Sequence, residues 1–238
     1  MSGHKSTDQT GKLHSVIFDM DGVIVDSHPA HRRAWQQFLE TLGRNVSEDD
    51  LKYILDGRKR SEILSHFFGE LNESEIREYG NRKDRFFQQI SLDVKPVEGV
   101  LDLLDDLKER SVALCLATSA GESRTWTTLH RLRLNRHFKV IVTGNDVAEG
   151  KPDPAIYRLA CRKLGVSPQN ALAVEDAISG IKAAKGAGIR CVAVGGHESA
   201  ESLLQAGADH FVRDFVGLSF ACLEAVLLQN HYSRFAEA

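Results

Sequence analysis

From Lys95 onward, short β-rich runs alternate with amphipathic helical stretches, and that alternation leaves few folds open to the chain. The runs Val112–Ala117, Val140–Val142, Ala171–Val174, Cys191–Val194 and Phe211–Val212 are apolar throughout, not at every second residue. Strands of that kind are buried on both faces. Between them, Val100, Leu103, Leu104 and Leu107 fall on one helical face, as do Ile156, Leu159, Ala160 and Leu164. Asp153 is placed to cap the second of these helices, with Pro154 at its first position, where a missing N–H does no harm. Ser15–Phe18 supplies one more strand ahead of the series. Strands and helices in this order predict an α/β fold: a doubly wound parallel sheet joined by right-handed crossovers.

Between Ser27 and Lys95 the texture is helical alone. Trp35, Phe38, Leu39 and Leu42 form one apolar stripe closed by Gly43. Ser47 or Glu48 opens a second helix through Leu51, Ile54 and Leu55, and Arg60–Phe68 offers a third. Asn72 with Glu75 reads as a capping box for a fourth, running to about Ile90. The expected division is a helical insert over residues 28–95, a core over 13–27 and 96–238, and a disordered polar tail over 1–12. Ligands of such sheets bind at the C-terminal ends of the strands, and an insert after the first strand covers them. Hinges are expected near Val25–Ser27 and Val94–Pro96, with Pro96 stiffening the second crossing.

The 238 residues suit one larger and one smaller domain. Net charge is -3 with both signs interspersed, so no basic face for nucleic acid is expected. The four cysteines, Cys115, Cys161, Cys191 and Cys222, are widely spaced, and three lie in apolar runs. Free thiols and a reducing, cytoplasmic setting follow. Met1–Lys12 lacks the apolar centre of a signal peptide. Arg213, Asp214 and Glu224 interrupt Phe211–Leu228, which reads as a packed strand and helix instead of a membrane span. A monomer is expected, with no membrane partner.

Polar residues gather at the predicted strand ends. The first strand runs into Asp19-Met20-Asp21-Gly22-Val23, and the Val112–Ala117 strand into Thr118-Ser119. Lys151-Pro152-Asp153-Pro154 follows the Val140 run, and Ala171–Val174 leads into Glu175-Asp176. On extended backbone Asp19 and Asp21 project to the same side. Unit charges ~4 Å apart repel by roughly 4 kcal/mol at an effective dielectric of about 20. A divalent cation is the simplest offset. Singly, Thr118-Ser119 and Glu175-Asp176 read as helix caps and Lys151 as a solvated lysine, but together they converge on one sheet edge. Carboxylates with Mg²⁺, a lysine and hydroxyl donors meet the needs of phosphoryl transfer. A carboxylate is ionised at neutral pH and attacks without a base. A second carboxylate can protonate the leaving alcohol and later activate water.

The pattern Asp19-x-Asp21-Gly-Val, Thr118-Ser119, Lys151-Pro-x-Pro and Glu175-Asp176 resembles the haloacid dehalogenase superfamily, and within it the β-phosphoglucomutase-like phosphatase subgroup. The motifs span residues 16 to 180. The resemblance implies a Rossmann-like core, a helical cap that opens and closes, Mg²⁺ and an aspartyl-phosphate intermediate. It makes Asp19 the nucleophile and Asp21 the general acid/base, whose backbone carbonyl also serves the metal. Asp19, Glu175 and Asp176 complete the implied metal set, directly or through water. Thr118, Ser119 and Lys151 become the phosphate-binding group. The second aspartate, absent from typical dehalogenases of the superfamily, favours phosphate chemistry over carbon–halogen cleavage.

In the insert, Asp26-Ser27-x-x-x-His31-x-x-x-Trp35 resembles the entry to the first cap helix of the β-phosphoglucomutases, where the histidine couples closure to acid–base chemistry. Gly57-Arg58-Lys59-Arg60 resembles the mutase G-x-x-R, which assigns Arg60 to a non-transferring phosphate. Packing alone also accounts for Trp35. Arg82 or Lys83 adds positive charge from the last cap helix. Mutases carry Ser-Lys after the motif hydroxyl, where this chain has Ala120 and Gly121. The loss of a hydroxyl and a cation favours a phosphatase acting on a small phosphorylated metabolite, a sugar or polyol phosphate. A phosphomutase is the alternative. A phosphonate hydrolase needs a Schiff-base lysine that no position clearly matches, and a phosphoacceptor switch such as a receiver domain is shorter and lacks a helical insert.

Overall fold

A computed structural model describes residues 12–228. The tail expected over 1–12 lies outside the described residues but for Lys12. After β1 (Ser15–Phe18) come four helices, α1 (His28–Glu40), α2 (Glu48–Leu55), α3 (Arg60–Phe68) and α4 (Glu73–Ile90). The chain then runs α5 (Val100–Glu109), β2 (Ala113–Ala117), α6 (Glu122–Arg131), β3 (Val140–Val142), α7 (Ala155–Leu164) and β4 (Ala171–Glu175). It ends with α8 (Ile178–Gly186), β5 (Arg190–Val194), α9 (Ala200–Gln205), β6 (His210–Val212) and α10 (Phe220–Leu228).

The strands form one six-stranded sheet in the order β3-β2-β1-β4-β5-β6, and every pairing is parallel. Strand order reverses beside β1: β2 and β3 build outward on one side, β4 to β6 on the other. That reversal opens a crevice at the C-terminal end of β1.

Alternating side chains sort the sheet into two unequal faces. Val16, Phe18, Leu114, Leu116, Leu172, Val174, Val192 and Val194 share one buried cluster with Leu103 and Leu107 of α5 and Leu223 and Val226 of α10. Ile17, Cys115, Ala117, Ala171, Ala173, Cys191 and Ala193 share the other with Ile156, Tyr157 and Ala160 of α7 and Ile181 of α8. The second face is mostly alanine and cysteine, so its helices fill the space with larger side chains of their own. Cys115, Cys161 and Cys191 are buried free thiols and Cys222 is an exposed one.

Helices α1 to α4 form a helical cap with its own core of Trp35, Phe38, Leu39, Leu51, Ile54, Ile63 and Leu64. Its capping signals were legible in the sequence. Asn72 Oδ1 accepts from the N–H groups of Ser74 and Glu75, and the Glu75 carboxylate accepts from the Asn72 N–H at 2.8 Å. Ser47, not Glu48, caps α2, in a reciprocal box with Asp50. The α7 terminus differs from expectation by one position. Pro154 is the cap and Ala155 the first helical residue, because the Asp153 carboxylate accepts from the Ala155 N–H at 2.8 Å. The two crossings between core and cap lie side by side. Val25 bridges Pro96, Asp26 N–H donates to the Lys95 carbonyl at 2.9 Å, and Val97 N–H to Ile24 at 3.1 Å. No described helix is long and apolar enough to cross a membrane.

Candidate active site

At the end of β1 the Asp19 N–H still donates to the Val174 carbonyl at 3.0 Å, which fixes its side chain beside the end of β4. The chain then turns through Gly22 at φ 81°, where a Cβ would sit 1.9 Å from Asp176 Oδ2. Glycine is required there for both reasons. Thr118 ends β2 the same way, donating its N–H to Val142 at 3.0 Å.

A cleft lies between this sheet edge and the cap. Asp19, Asp21, Thr118, Ser119 and Asp176 line it from below, and His31, Trp35 and Arg60 from above. Lys151 and Glu175 stand behind that lining, each 1 % exposed. Lys151 Nζ donates to Asp19 Oδ1 at 2.5 Å, Glu175 Oε1 at 2.6 Å and the Ala117 carbonyl at 3.2 Å. Glu175 Oε1 also accepts from the Tyr157 hydroxyl at 2.5 Å. Thr118 Oγ1 accepts from the Ala120 N–H at 3.1 Å rather than capping α6, whose cap position is Gly121. Ser119 Oγ is buried with no hydrogen-bond partner. Glu175 and Asp176 do not cap α8 either, since its cap residue Ala177 has no side-chain bond.

The two aspartates that look alike in sequence sit in opposite electrostatic surroundings. Burial raises Asp19 to about 7 against the pull of Lys151, with Glu175 and Asp21 adding to the rise. Burial also pushes Asp21 up, but Arg124 and then His31 outweigh it and hold the carboxyl well below its ordinary value. Arg124 grips both Asp21 oxygens, Nη1 to Oδ1 at 2.9 Å and Nη2 to Oδ2 at 2.5 Å. Ser27 Oγ donates to Oδ1 at 2.6 Å. His31 Nε2 lies 3.3 Å from the same oxygen without a well-formed hydrogen bond.

Asp19, Glu175 and Asp176 can bring one oxygen each within 4.8 Å of one another, as a divalent cation needs. Asp176 Oδ2 is buried and unpartnered, and burial with the neighbouring carboxylates raises Asp176 well above its ordinary range. An oxygen-rich set with an orphaned acceptor fits Mg²⁺. Glu175 already has two donors on Oε1, which leaves Asp176 the freer ligand.

Arg124 and His28 went unnoticed in the sequence, and Arg58 was read only as a basic neighbour of Arg60. Arg124 sits in the first turn of α6 with nothing local to mark it. Arg58 lines the roof of the cleft, its guanidinium 4.5 Å above the Tyr53 ring. His28 approaches Asp176 at 3.3 Å. Lys83, noted only as extra charge, is 3 % exposed and lies 3.0 Å from His31 Nδ1. Burial, with Arg124 nearby, lowers its ammonium to about 7, and burial with Lys83 lowers His31 to about 3. Arg60 reaches the cleft while pairing with Asp84 at 2.6 Å.

Known proteins resemble this chain in sequence and fold. Residues 16–194 match the family model for haloacid dehalogenase-like hydrolases. A phosphorylated carbohydrates phosphatase of Thermotoga maritima is 32% identical over 84% of this chain and 94% of its own. A β-phosphoglucomutase of Bacillus subtilis is 34% identical over 89% of this chain and 94% of its own. The crystal structure of CbbY from Rhodobacter sphaeroides in complex with phosphate superposes with a TM-score of 0.77 at 29% identity, covering 89% and 99% of the two chains. The family match over most of the sheet and the identity to these enzymes agree with the acidic sheet edge under a helical cap: the chain belongs to the haloacid dehalogenase-like hydrolase family.

Proposed function

We propose that this protein is a Mg²⁺-dependent phosphatase of a small phosphorylated metabolite, a sugar or polyol phosphate, working through an aspartyl-phosphate on Asp19. The observation that carries this reading is the convergence of Asp19, Asp21, Thr118, Ser119 and Asp176 on one cleft floor, with Lys151 bonded to Asp19 from behind. Asp19 Oδ1 is fixed by Lys151, leaving its other oxygen to attack phosphorus in line with the departing alcohol. Asp21 protonates that alcohol and then takes a proton from the water that hydrolyses the acyl phosphate. Thr118 and the Ser119 N–H hold equatorial oxygens, and Lys151 limits charge build-up from behind. Asp19, Asp176 and the Asp21 carbonyl would hold Mg²⁺, with Glu175 assisting through water; the ion when bound screens the nucleophile from the phosphate.

Asp21 gripped by Arg124 is a poor acid, so the grip must loosen when substrate arrives. Cap closure supplies the means, since His31, Lys83 and the Phe87 ring beneath Arg124 all belong to the cap. The unit that moves is proposed as residues 28–95 over a core of 13–27 and 96–238. A monomer in the cytoplasm, without nucleic acid or membrane partners, is the proposed setting.

The phosphomutase reading draws on one observation: Arg58, Arg60, Lys83 and Arg124 all face the cleft, more cationic charge than one phosphate needs. Released phosphate, measured across phosphorylated sugars and polyols with Mg²⁺, tests the phosphatase. Glucose 6-phosphate formed from β-glucose 1-phosphate, without free phosphate, would establish the mutase instead. A protein that is phosphorylated on Asp19 yet turns nothing over would refute both.

A further inference from the structure

Asp176 belongs to two groups of side chains, and only one of them is the acidic set described above. On its other side stand His28 and His197, and these three can bring one ligand atom each within 4.8 Å of one another. We propose that His28, Asp176 and His197 form a second metal site, selective for a borderline-soft divalent ion such as Zn²⁺ and distinct from the oxygen-lined Mg²⁺ position.

The geometry suits that ion. Zn²⁺ binds histidine nitrogen and carboxylate oxygen at about 2.0–2.1 Å, so two ligands of a tetrahedral site lie roughly 3.3–3.4 Å apart. His28 Nε2 and Asp176 Oδ2 are 3.3 Å apart and do not hydrogen-bond well. Both ring nitrogens of His197 are buried without a partner. Its ring stands edge-on to that of His28, centroids 4.7 Å apart, which brings both imidazoles to the same carboxylate. A buried carboxylate oxygen and a buried imidazole left unpartnered side by side are uncommon in a folded chain, where buried polar groups find partners. Glu198, 3.8 Å from His197 Nε2, or water is available as a fourth ligand.

Two glycines let the ligands approach the backbone closely. Asp176 Oδ2 and His28 Nε2 lie 1.9 and 2.7 Å from where a Gly22 Cβ would be, and Asp176 Oδ2 lies 3.3 Å from that of Gly196. Two imidazoles and one carboxylate select Zn²⁺ or Co²⁺ over Mg²⁺, whose ligands are oxygens. Because Asp176 stands in both groups, filling one position changes the affinity of the other, and the effect is reciprocal.

The test is direct metal binding, and it does not rest on the phosphatase reading. Zn²⁺ is titrated into the full chain by calorimetry in saturating Mg²⁺, and Co²⁺ is titrated with its visible spectrum followed. The expected result is one Zn²⁺ per chain and a Co²⁺ spectrum of four-coordinate, imidazole-ligated metal. His197→Ala weakens Zn²⁺ binding by at least about tenfold, while its circular dichroism and its Mg²⁺ affinity in the absence of Zn²⁺ stay as in the parent. His28→Ala gives the same loss of Zn²⁺. Zn²⁺ binding of unchanged affinity in both variants, or no Zn²⁺ uptake by the parent chain, overturns the proposal. If Zn²⁺ merely replaces Mg²⁺ at the acidic set, the Co²⁺ spectrum lacks imidazole ligation and His197→Ala leaves it unaltered, which also overturns it.

Discussion

The floor and the roof of the cleft hold charge in different ways. On the floor, Lys151 is locked among Asp19, Glu175 and a backbone carbonyl, all nearly inaccessible to water. On the roof, Lys83 lies 4.7 Å from the Phe87 ring and 5.4 Å from that of Trp35, and Arg58 lies over Tyr53. Ion pairs of the first kind are rigid, because moving either partner strands a buried charge. Cations over aromatic faces are held more loosely, by roughly 0.5–2 kcal/mol each, and can turn toward an anion that enters. On the proposed reading, the floor serves one reaction geometry and the roof selects the substrate. Arg124 joins the two: its guanidinium bonds Asp21 of the floor and packs 5.5 Å from the Phe87 ring of the roof.

Breaking the floor gives the largest effect. Asp19→Asn is expected to lower phosphate release by at least about 10⁴-fold for every substrate, as loss of a covalent nucleophile does. An equal rate in this variant for any phosphate ester would remove Asp19 from the chemistry.

Cutting the joint comes next. Arg124→Ala is expected to lower kcat/KM for an alkyl phosphate by about 100-fold, because Asp21 loses the bidentate partner that orients its carboxylate for the two proton transfers. It also removes what holds Asp21 down, so the Asp21 pKa rises and the alkaline limb of the pH profile moves to higher pH. Arg124→Lys recovers part of the rate. A rate loss with no movement of the limb would mean that Arg124 only supports the fold.

Changes to the roof are milder and depend on substrate. Arg60→Ala is expected to raise KM for phosphorylated sugars by roughly tenfold, the loss of one charged contact, and to leave an aryl phosphate almost unaffected. Equal effects on both would deny Arg60 a part in selection.

The smallest effect is thermal. Burial raises Asp19 to about 7 in the fold, above its ordinary carboxylate value, so its ionisation destabilises the metal-free protein as pH climbs from that ordinary range through about 7. Mg²⁺ relieves this. The rise in Tm on adding Mg²⁺ is expected to be a few degrees and to be greater at pH 8 than at pH 5.5. A rise that is larger at the lower pH would contradict the assignment.

Much of this was legible in residue order, and the reason is local. The apolar runs and the Asn72–Glu75 box act within a few residues, so the strands and the helical cap could be read directly. Asp19, Thr118 and Glu175-Asp176 were legible as candidates because they stand at strand ends, which parallel strands deliver to one edge, and Lys151 because it lies in the loop that follows β3. Arg124 was not found, because its meaning depends on Asp21, 103 residues away. His28 and His197 were not found for the same reason, since Asp176 is what brings them together. Lys151 was placed at the phosphate by motif, yet its ammonium is committed behind the cleft to Asp19 and Glu175.

Residue order carried the elements, the parallel character of the sheet and the edge at which acidic and hydroxyl side chains collect, since periodicity and capping are properties of neighbouring residues; the order of the strands came from the fold. Which aspartate is raised and which is held down came from the folded chain alone. That choice depends on burial and on charges from distant helices, and an ionisable group responds to everything within a few ångströms of it, however far away along the chain.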